Sequence, residues 1–152
     1  IRGVTKDTDV ARISVTKIPN TPGVAFKLFD VLAKHKINVD IILQSIGRES
    51  TKDITFTVAK GNAEETIECV KNVFDIEDKD IICDTSVAKI SIVGAGMESH
   101  PGTASKMFEA LYERDINIDM IATSEIKISV LVDEKEADKA VSAVHAAFFP
   151  EN

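Results

Sequence analysis

Asp7-Thr8-Asp9-Val10-Ala11-Arg12-Ile13-Ser14-Val15 returns later in the chain as Asp84-Thr85-Ser86-Val87-Ala88-Lys89-Ile90-Ser91-Ile92. An internal repeat is the first thing to look for, because missing one misreads the whole fold. The echo continues in order. Pro22-Gly23 returns as Pro101-Gly102, and Ile37-Asn38-Val39-Asp40-Ile41-Ile42 returns as Ile116-Asn117-Ile118-Asp119-Met120-Ile121. The stretch from Ala63 to Phe74 answers that from Ala137 to Phe148. Matches that keep their order mean a duplication. No Pro/Gly/Ser-rich linker marks the edge of either copy, so close packing of the copies is expected.

Each copy carries the same pattern. Ile13 and Val15 alternate with Ser14 and Thr16, the period of a half-buried strand. The turn Pro19-Asn20-Thr21-Pro22-Gly23 follows. Ala25, Leu28, Phe29 and Leu32 then fall at i, i+3, i+4, i+7, the stripe of an amphipathic helix, and Ala104, Met107, Phe108 and Leu111 repeat it. Val39, Ile41 and Leu43 alternating with Asn38, Asp40 and Gln44 predict a second strand. Ile54, Phe56 and Val58 alternating with Thr55 and Thr57 predict a third, with Gly47 to Lys52 as the hairpin loop between them. Ala63, Ile67, Val70 and Phe74 predict a second helix, and Asp80 to Cys83 a final strand.

Strand, helix, strand, strand, helix, strand is the split βαβ order. The second copy stops before its last strand, while Ile1 to Thr5 is a strand without a unit. The economical solution lets that strand complete the second sheet. The expected class is therefore α+β: two ferredoxin-like βαββαβ domains, one at residues 6–84 inserted in another made of residues 1–5 and 85–152.

Composition narrows function. The 152 residues are 44% apolar and 28% charged, with a net charge of −7. That balance suits a packed soluble fold and argues against nucleic acid, whose phosphates call for clustered Lys and Arg. No apolar run approaches the roughly 20 residues that span a bilayer, and no leader pattern is visible. The chain begins at Ile1 and reads as a piece of something longer. Cys69 and Cys83 lie in apolar contexts and read as small core residues, which fits a reducing cytoplasm.

Catalytic constellations are missing. His35 and His145 read as solvated residues on helix surfaces. His100, before Pro101-Gly102, reads equally as a turn residue or a functional one. No Cys/His spacing suits a metal. Gly94-Ala95-Gly96 lacks the third glycine of a dinucleotide loop, where Ser99 stands, and Pro101 interrupts the helix start. Neither a nucleophile elbow nor a phosphate loop is found.

The strand-to-helix turns are more informative. Asn20-Thr21-Pro22-Gly23-Val24-Ala25 sets free N–H groups at a helix N-terminus, where donors and dipole attract an anion. Proline also simply suits a first helical turn, so capping and anion binding both stay open. Asn38, Asp40 and Gln44, echoed by Asn117 and Asp119, offer acceptors for an ammonium group. A helix N-terminus for a carboxylate and acceptors for an ammonium describe a site for a free amino acid, and Glu125 could reach a second ammonium such as that of lysine. A merely solvated edge is the other reading.

Two sets of motifs then carry a resemblance over nearly the whole chain. Ile18-x-Asn20-x-Pro22-Gly23-x-Ala25, Ile37 to Gln44 and Asp53-Ile54-Thr55-Phe56-Thr57-Val58 resemble the first ACT domain of aspartate kinases. Val93 to Met97, Ser99-His100-Pro101-Gly102, Ile116 to Ile121, Thr123-Ser124-Glu125-Ile126 and Ile128 to Val132 resemble the second. The resemblance implies a non-catalytic regulatory region with no cofactor of its own. The parent kinase would use ATP and Mg to phosphorylate a carboxyl of aspartate. It also implies feedback control by lysine and/or threonine, and cytoplasmic homodimers whose ACT sheets join side by side. The catalytic domain or alpha subunit would be the other partner. By position, Asn20, Thr21, Pro22, Gly23, Val24, Ala25 and Gln44 with Asn117 and Ile118 would hold threonine. Asn38, Val39 and Asp40 with Thr103, Ala104, Ser124 and Glu125 would hold lysine. Relatives often carry Asp where this chain has Asn20, which removes a partner for the threonine ammonium. An ACT-domain sensor of another biosynthetic enzyme, or a transcriptional regulator, is the alternative.

Overall fold

The alternating and helical patterns above become eight strands and four helices in a computed structural model that describes residues 2–47, 49–94 and 101–150. In chain order these are β1 (Gly3–Asp7), β2 (Ala11–Pro19), α1 (Val24–Lys34), β3 (Ile42–Ile46), β4 (Thr51–Val58), α2 (Ala63–Phe74), β5 (Ile81–Asp84), β6 (Val87–Val93), α3 (Thr103–Glu113), β7 (Met120–Thr123), β8 (Lys127–Asp133) and α4 (Ala137–Phe148). The class is α+β, with two four-stranded antiparallel sheets ordered β3-β4-β2-β5 and β1-β6-β8-β7.

Contacts divide the chain into two compact units, residues 9–85 and residues 1–8 with 86–152. The chain enters the second unit as β1, which pairs antiparallel with β6 from Gly3↔Val93 to Asp7↔Lys89. It then builds all of the first unit before returning as β6.

In the first unit, Ile13 and Val15 of β2 and Ile54, Phe56 and Val58 of β4 face Leu28 and Leu32 of α1 and Cys69 and Val70 of α2. Period two on the strands meets period 3.6 on the helices, so one apolar layer lies between sheet and helices. Phe29 of α1 stands edge-on to Phe56, with ring centroids 5.6 Å apart, which places α1 over β4. The second unit repeats the arrangement with Ile90, Ile92, Ile128 and Val130 under Met107, Leu111, Ala140 and Val144. Its sheet also holds a buried hydroxyl pair, Ser91 with Ser129 at 2.7 Å, each satisfying the other.

Four expectations change. The strand expected from Asn38 begins only at Ile42, because the amide of Ile41 donates to the Thr57 hydroxyl instead of entering a regular ladder. Its residues are exposed throughout, since β3 is an edge strand. The hairpin loop ends at Ser50, and Thr51 and Lys52 already belong to β4. Lys52 continues the inward parity of Ile54 and Phe56 and is only 6% exposed. Lastly, Cys69 is buried but Cys83 is exposed, because β5 is the other edge of its sheet.

A bulge breaks β2 between Val15 and Ile18, with Lys17 at a φ of 58° and its amide donating to Asp53 at 3.0 Å. The extra residue restores Ile18 to the inner face just before the turn into α1.

Phe56 is fully buried beneath Phe29. Phe56→Ala is expected to cost about 3–5 kcal/mol, read as a lowered midpoint in urea unfolding. A loss below about 1 kcal/mol would mean that the core collapses around the gap.

Candidate functional site

Helix ends distinguish the two turn helices from the other pair. Gly23 and Gly102 stand at the N-caps of α1 and α3 with φ of 89° and 92°. Neither helix has a side-chain cap or an acidic residue in its first turn. The first turn of α2 carries Glu64 and Glu65, and that of α4 carries Asp138. Among the described residues, the N-terminal N–H groups of α1 and α3 thus keep their partial positive charge without a capping side chain or a first-turn acid answering it. Asn20, Thr21, Pro22 and Gly23 are exposed, Val24 is buried in the core and Ala25 is partly buried. The Asn20 amide donates to the Ser50 carbonyl at 2.8 Å, which ties this turn to the β3–β4 hairpin.

Register locates the remaining residues along each sheet. Gln44 lies opposite Ile54, itself opposite Val15, so it shares the helix-facing side at the end where β2 turns into α1. Val39 packs against the same core while Asn38 and Asp40 are exposed. Gln44 therefore does not continue the face of Asn38 and Asp40, because the chain between them is irregular. Asp40 donates its amide to the Thr57 carbonyl, at the end of the sheet where β2 begins. Seven strand steps from Arg12 to Pro19, at about 3.3 Å each, put roughly 20 Å between Asp40 and the glycine turn.

The second unit has the same polarity. The Asp119 amide donates to the Leu131 carbonyl. Asn117 Nδ2 stands 3.5 Å from Asp119 Oδ1, and both residues are exposed. Ile118 packs on the core. Four strand steps away along β8, about 13 Å, the Ser124 amide donates to the Lys127 carbonyl, and Ser124 and Glu125 are exposed in the β7–β8 hairpin. The Gly94 amide, just beyond β6, donates to the Ile126 carbonyl at this same end. Here the helix-facing side leads to Thr103 and Ala104, both partly buried at the start of α3. His100, Gly96 and Ser99 lie outside the described residues.

Four half-sites result. In the first unit, Asn20 to Ala25 and Gln44 share one end while Asn38, Val39 and Asp40 share the other. In the second, Thr103, Ala104, Ser124 and Glu125 share one end while Asn117, Ile118 and Asp119 share the other. The first unit sets Gln44 beside its glycine turn but Asn38 and Asp40 at the far end, and the second sets Glu125 beside its turn but Asn117 and Asp119 at the far end.

Among the described residues, those outside the candidate half-sites show no catalytic arrangement. His35 is exposed and bonded to Glu65 at 2.9 Å, and His145 stacks near Phe149. Burial, and then Glu65 and Glu68, push the Cys69 thiol above its ordinary pKa; burial and then Asp84 do the same to Cys83. Neither is an activated thiolate. Among the described residues no group of three His, Cys, Asp or Glu could hold a metal ion, and no helix is long and apolar enough to cross a membrane. A groove of about 360 Å³ runs between α3 and α4 over Ala110, Ala143 and Ala147.

A family model described as the ACT domain matches residues 13–74 and 90–148. The chain belongs to the ACT domain family. Its arrangement is that of aspartate kinase regulatory regions. It is 41% identical to the ligand-free regulatory subunit of aspartate kinase from Thermus thermophilus, with a TM-score of 0.88, covering 97% of this chain and 98% of that one. A structure of aspartokinase alpha and beta subunits matches with a TM-score of 0.87 at 42% identity, with the same coverage. The aspartokinase of Helicobacter pylori is 46% identical over 148 residues. This chain spans 36% of the length of that relative.

At Gly23 an added methyl would meet nothing within 4 Å. Gly23→Ala is therefore expected to lower stability by about 1 kcal/mol through backbone conformation alone. Thermal unfolding checks this, and an unchanged midpoint would mean that the turn relaxes out of the left-handed region.

Proposed function

We propose that this chain is the allosteric, effector-sensing part of an aspartate kinase, binding free lysine and/or threonine and relaying occupancy to a catalytic domain or alpha subunit in the cytoplasm. The observation that carries the reading is the separation of the half-sites. Each unit offers an uncapped helix N-terminus at one end and its Asn-x-Asp acceptors at the other, along the edge strands β3 and β7. A free amino acid whose ammonium is held by the Asn-x-Asp acceptors and whose carboxylate is held at a glycine turn would therefore be shared by two ACT domains. Antiparallel side-by-side docking of β3 from one chain and β7 from another would bring opposite ends together. Asn20 to Ala25 and Gln44 would then meet Asn117 and Ile118 for threonine. Asn38, Val39 and Asp40 would meet Thr103, Ala104, Ser124 and Glu125 for lysine. Such docking would also cover Ile42 and Leu43, which β3 exposes, and would pair its free edge.

Regulation follows from linkage. An effector that binds between chains favours the arrangement in which both halves meet, by no more than its difference in affinity for the two arrangements. The attached catalytic parts respond to that arrangement, and two effectors at one interface would act together. The catalytic step itself, with its ATP and Mg, belongs to the parent kinase.

Calorimetric titration with lysine and threonine, singly and together, is expected to show saturable binding, with each amino acid tightening the other. Glu125→Gln should weaken lysine about tenfold, the loss of one charge-assisted contact, and leave threonine within about twofold. Sedimentation should show a dimer strengthened by effector. No heat from either amino acid would overturn the lysine and threonine reading, and binding to a strict monomer would overturn the two-chain site.

A further inference from the structure

Lys52 is the one lysine that the fold buries among the described residues. Its cross-strand neighbours are Ile46 and Ile18, so its side chain lies on the helix-facing side of the sheet. The α1 helix crosses over β4 at Phe29 and Phe56. From that crossing, Val24 lies five helical residues away, about 7.5 Å. Lys52 lies four strand residues away in the same direction, about 13 Å. The side chain of Lys52 thus rises at the mouth of α1, just beyond its first turn.

Among the described residues, the ammonium has neither an ion pair nor a hydrogen bond. Of its close neighbours in sequence, Asp53 faces the other side of β4 and accepts from the Lys17 amide, and Glu49 makes no ion pair with it. Among the described residues no buried side-chain nitrogen or oxygen lacks a partner, so the stem of Lys52 is buried while its unpartnered ammonium reaches the surface. The turn itself is free of acids: Asn20 and Thr21 are neutral, and the first turn of α1 holds no Asp or Glu. At this end of the first unit the exposed Glu49 of the hairpin and Asp53 on the other face of β4 lie nearby, while the inward-facing lysine and the helix dipole are both positive.

We propose that Lys52 anchors the carboxylate of the amino acid bound at the first unit's glycine turn. Its ammonium supplies a charge-assisted hydrogen bond beside the N-terminal N–H groups of α1. It sets specificity as well. A ligand with a single ammonium, held by acceptors from the other half-site, tolerates this cation, whereas the second ammonium of lysine is repelled from it. The turn of the first unit is thereby reserved for a neutral side chain. This inference rests on the proposed effector function and names the residue that selects the effector there.

The test uses threonine and threoninamide, which differ in the carboxylate charge, on the wild-type chain and on Lys52→Met and Lys52→Gln. Wild type is expected to prefer threonine over its amide by about 10- to 100-fold, the range of one charged hydrogen bond. In both variants that preference should shrink to about threefold or less, while lysine binding stays within about twofold. Lys52→Met keeps the buried stem, so its melting temperature should match or exceed that of wild type. If that variant fails to fold, Lys52→Gln and the wild-type amide comparison still decide. Threonine bound equally well by wild type and variant, or an unchanged preference over the amide, overturns the role of Lys52 alone. A wild-type chain that binds no amino acid overturns the effector reading and this inference together.

Discussion

The ladder between β1 and β6 is the constraint from which the rest of the architecture follows. Asp7 lies opposite Lys89 at its end, so the chain leaves the second unit and re-enters it at neighbouring points, about 5 Å apart. Everything from Asp9 to Thr85 must therefore fold as a closed excursion with its own core. The same ladder moves β6 into the interior of its sheet and leaves β1 and β7 as the edges. Without it the second unit would keep three strands and bare the apolar β6.

Duplication of one supersecondary unit then has a chemical consequence. In each copy the chain rises along one strand, turns through a left-handed glycine and descends as a helix. The helix N-terminus comes to one end of the sheet and the Asn-x-Asp segment after it to the other. An amino acid carries its opposite charges on two groups bonded to the same carbon, far closer than the two ends of a strand. On the proposed reading the fold sets the helix N-terminus and the Asn-x-Asp acceptors apart, and two domains would combine to hold one zwitterion. Where the strand edges are left open, as in β3 with Ile42 and Leu43 exposed, the means of combination is already present.

Electrostatics separates the two copies that topology makes alike. The hairpin end of the second unit offers Glu125, a carboxylate open to solvent. The equivalent end of the first unit carries Glu49 in its hairpin and adds the inward-facing Lys52, while the first turn of α1 has no acid. Backbone geometry is shared because Pro-Gly is shared; charge diverges because the side chains around the turn are free to vary without disturbing the core.

Order and type of elements were legible in the sequence by itself. The duplication exposed the shared architecture, alternation marked β2 and β4, helical spacing marked the inner faces of all four helices, and the Pro-Gly turns marked the helix starts. These signals are local, since periodicity and turn chemistry act over a few residues. Which face a residue occupies, and what covers it, was decided only in the tertiary structure. Gln44 changed sides because the amide of Ile41 pairs with the Thr57 hydroxyl and delays the strand to Ile42. Cys83 is exposed because nothing of its own unit lies beyond β5. Lys52 read as part of a polar loop, although its period-two relation to Ile54, Phe56 and Val58 was already in the chain; it is buried on the inner face beside Ile18, which the bulge in β2 returns to that face. Facing and burial depend on partners distant in sequence, and only folding brings those partners into place.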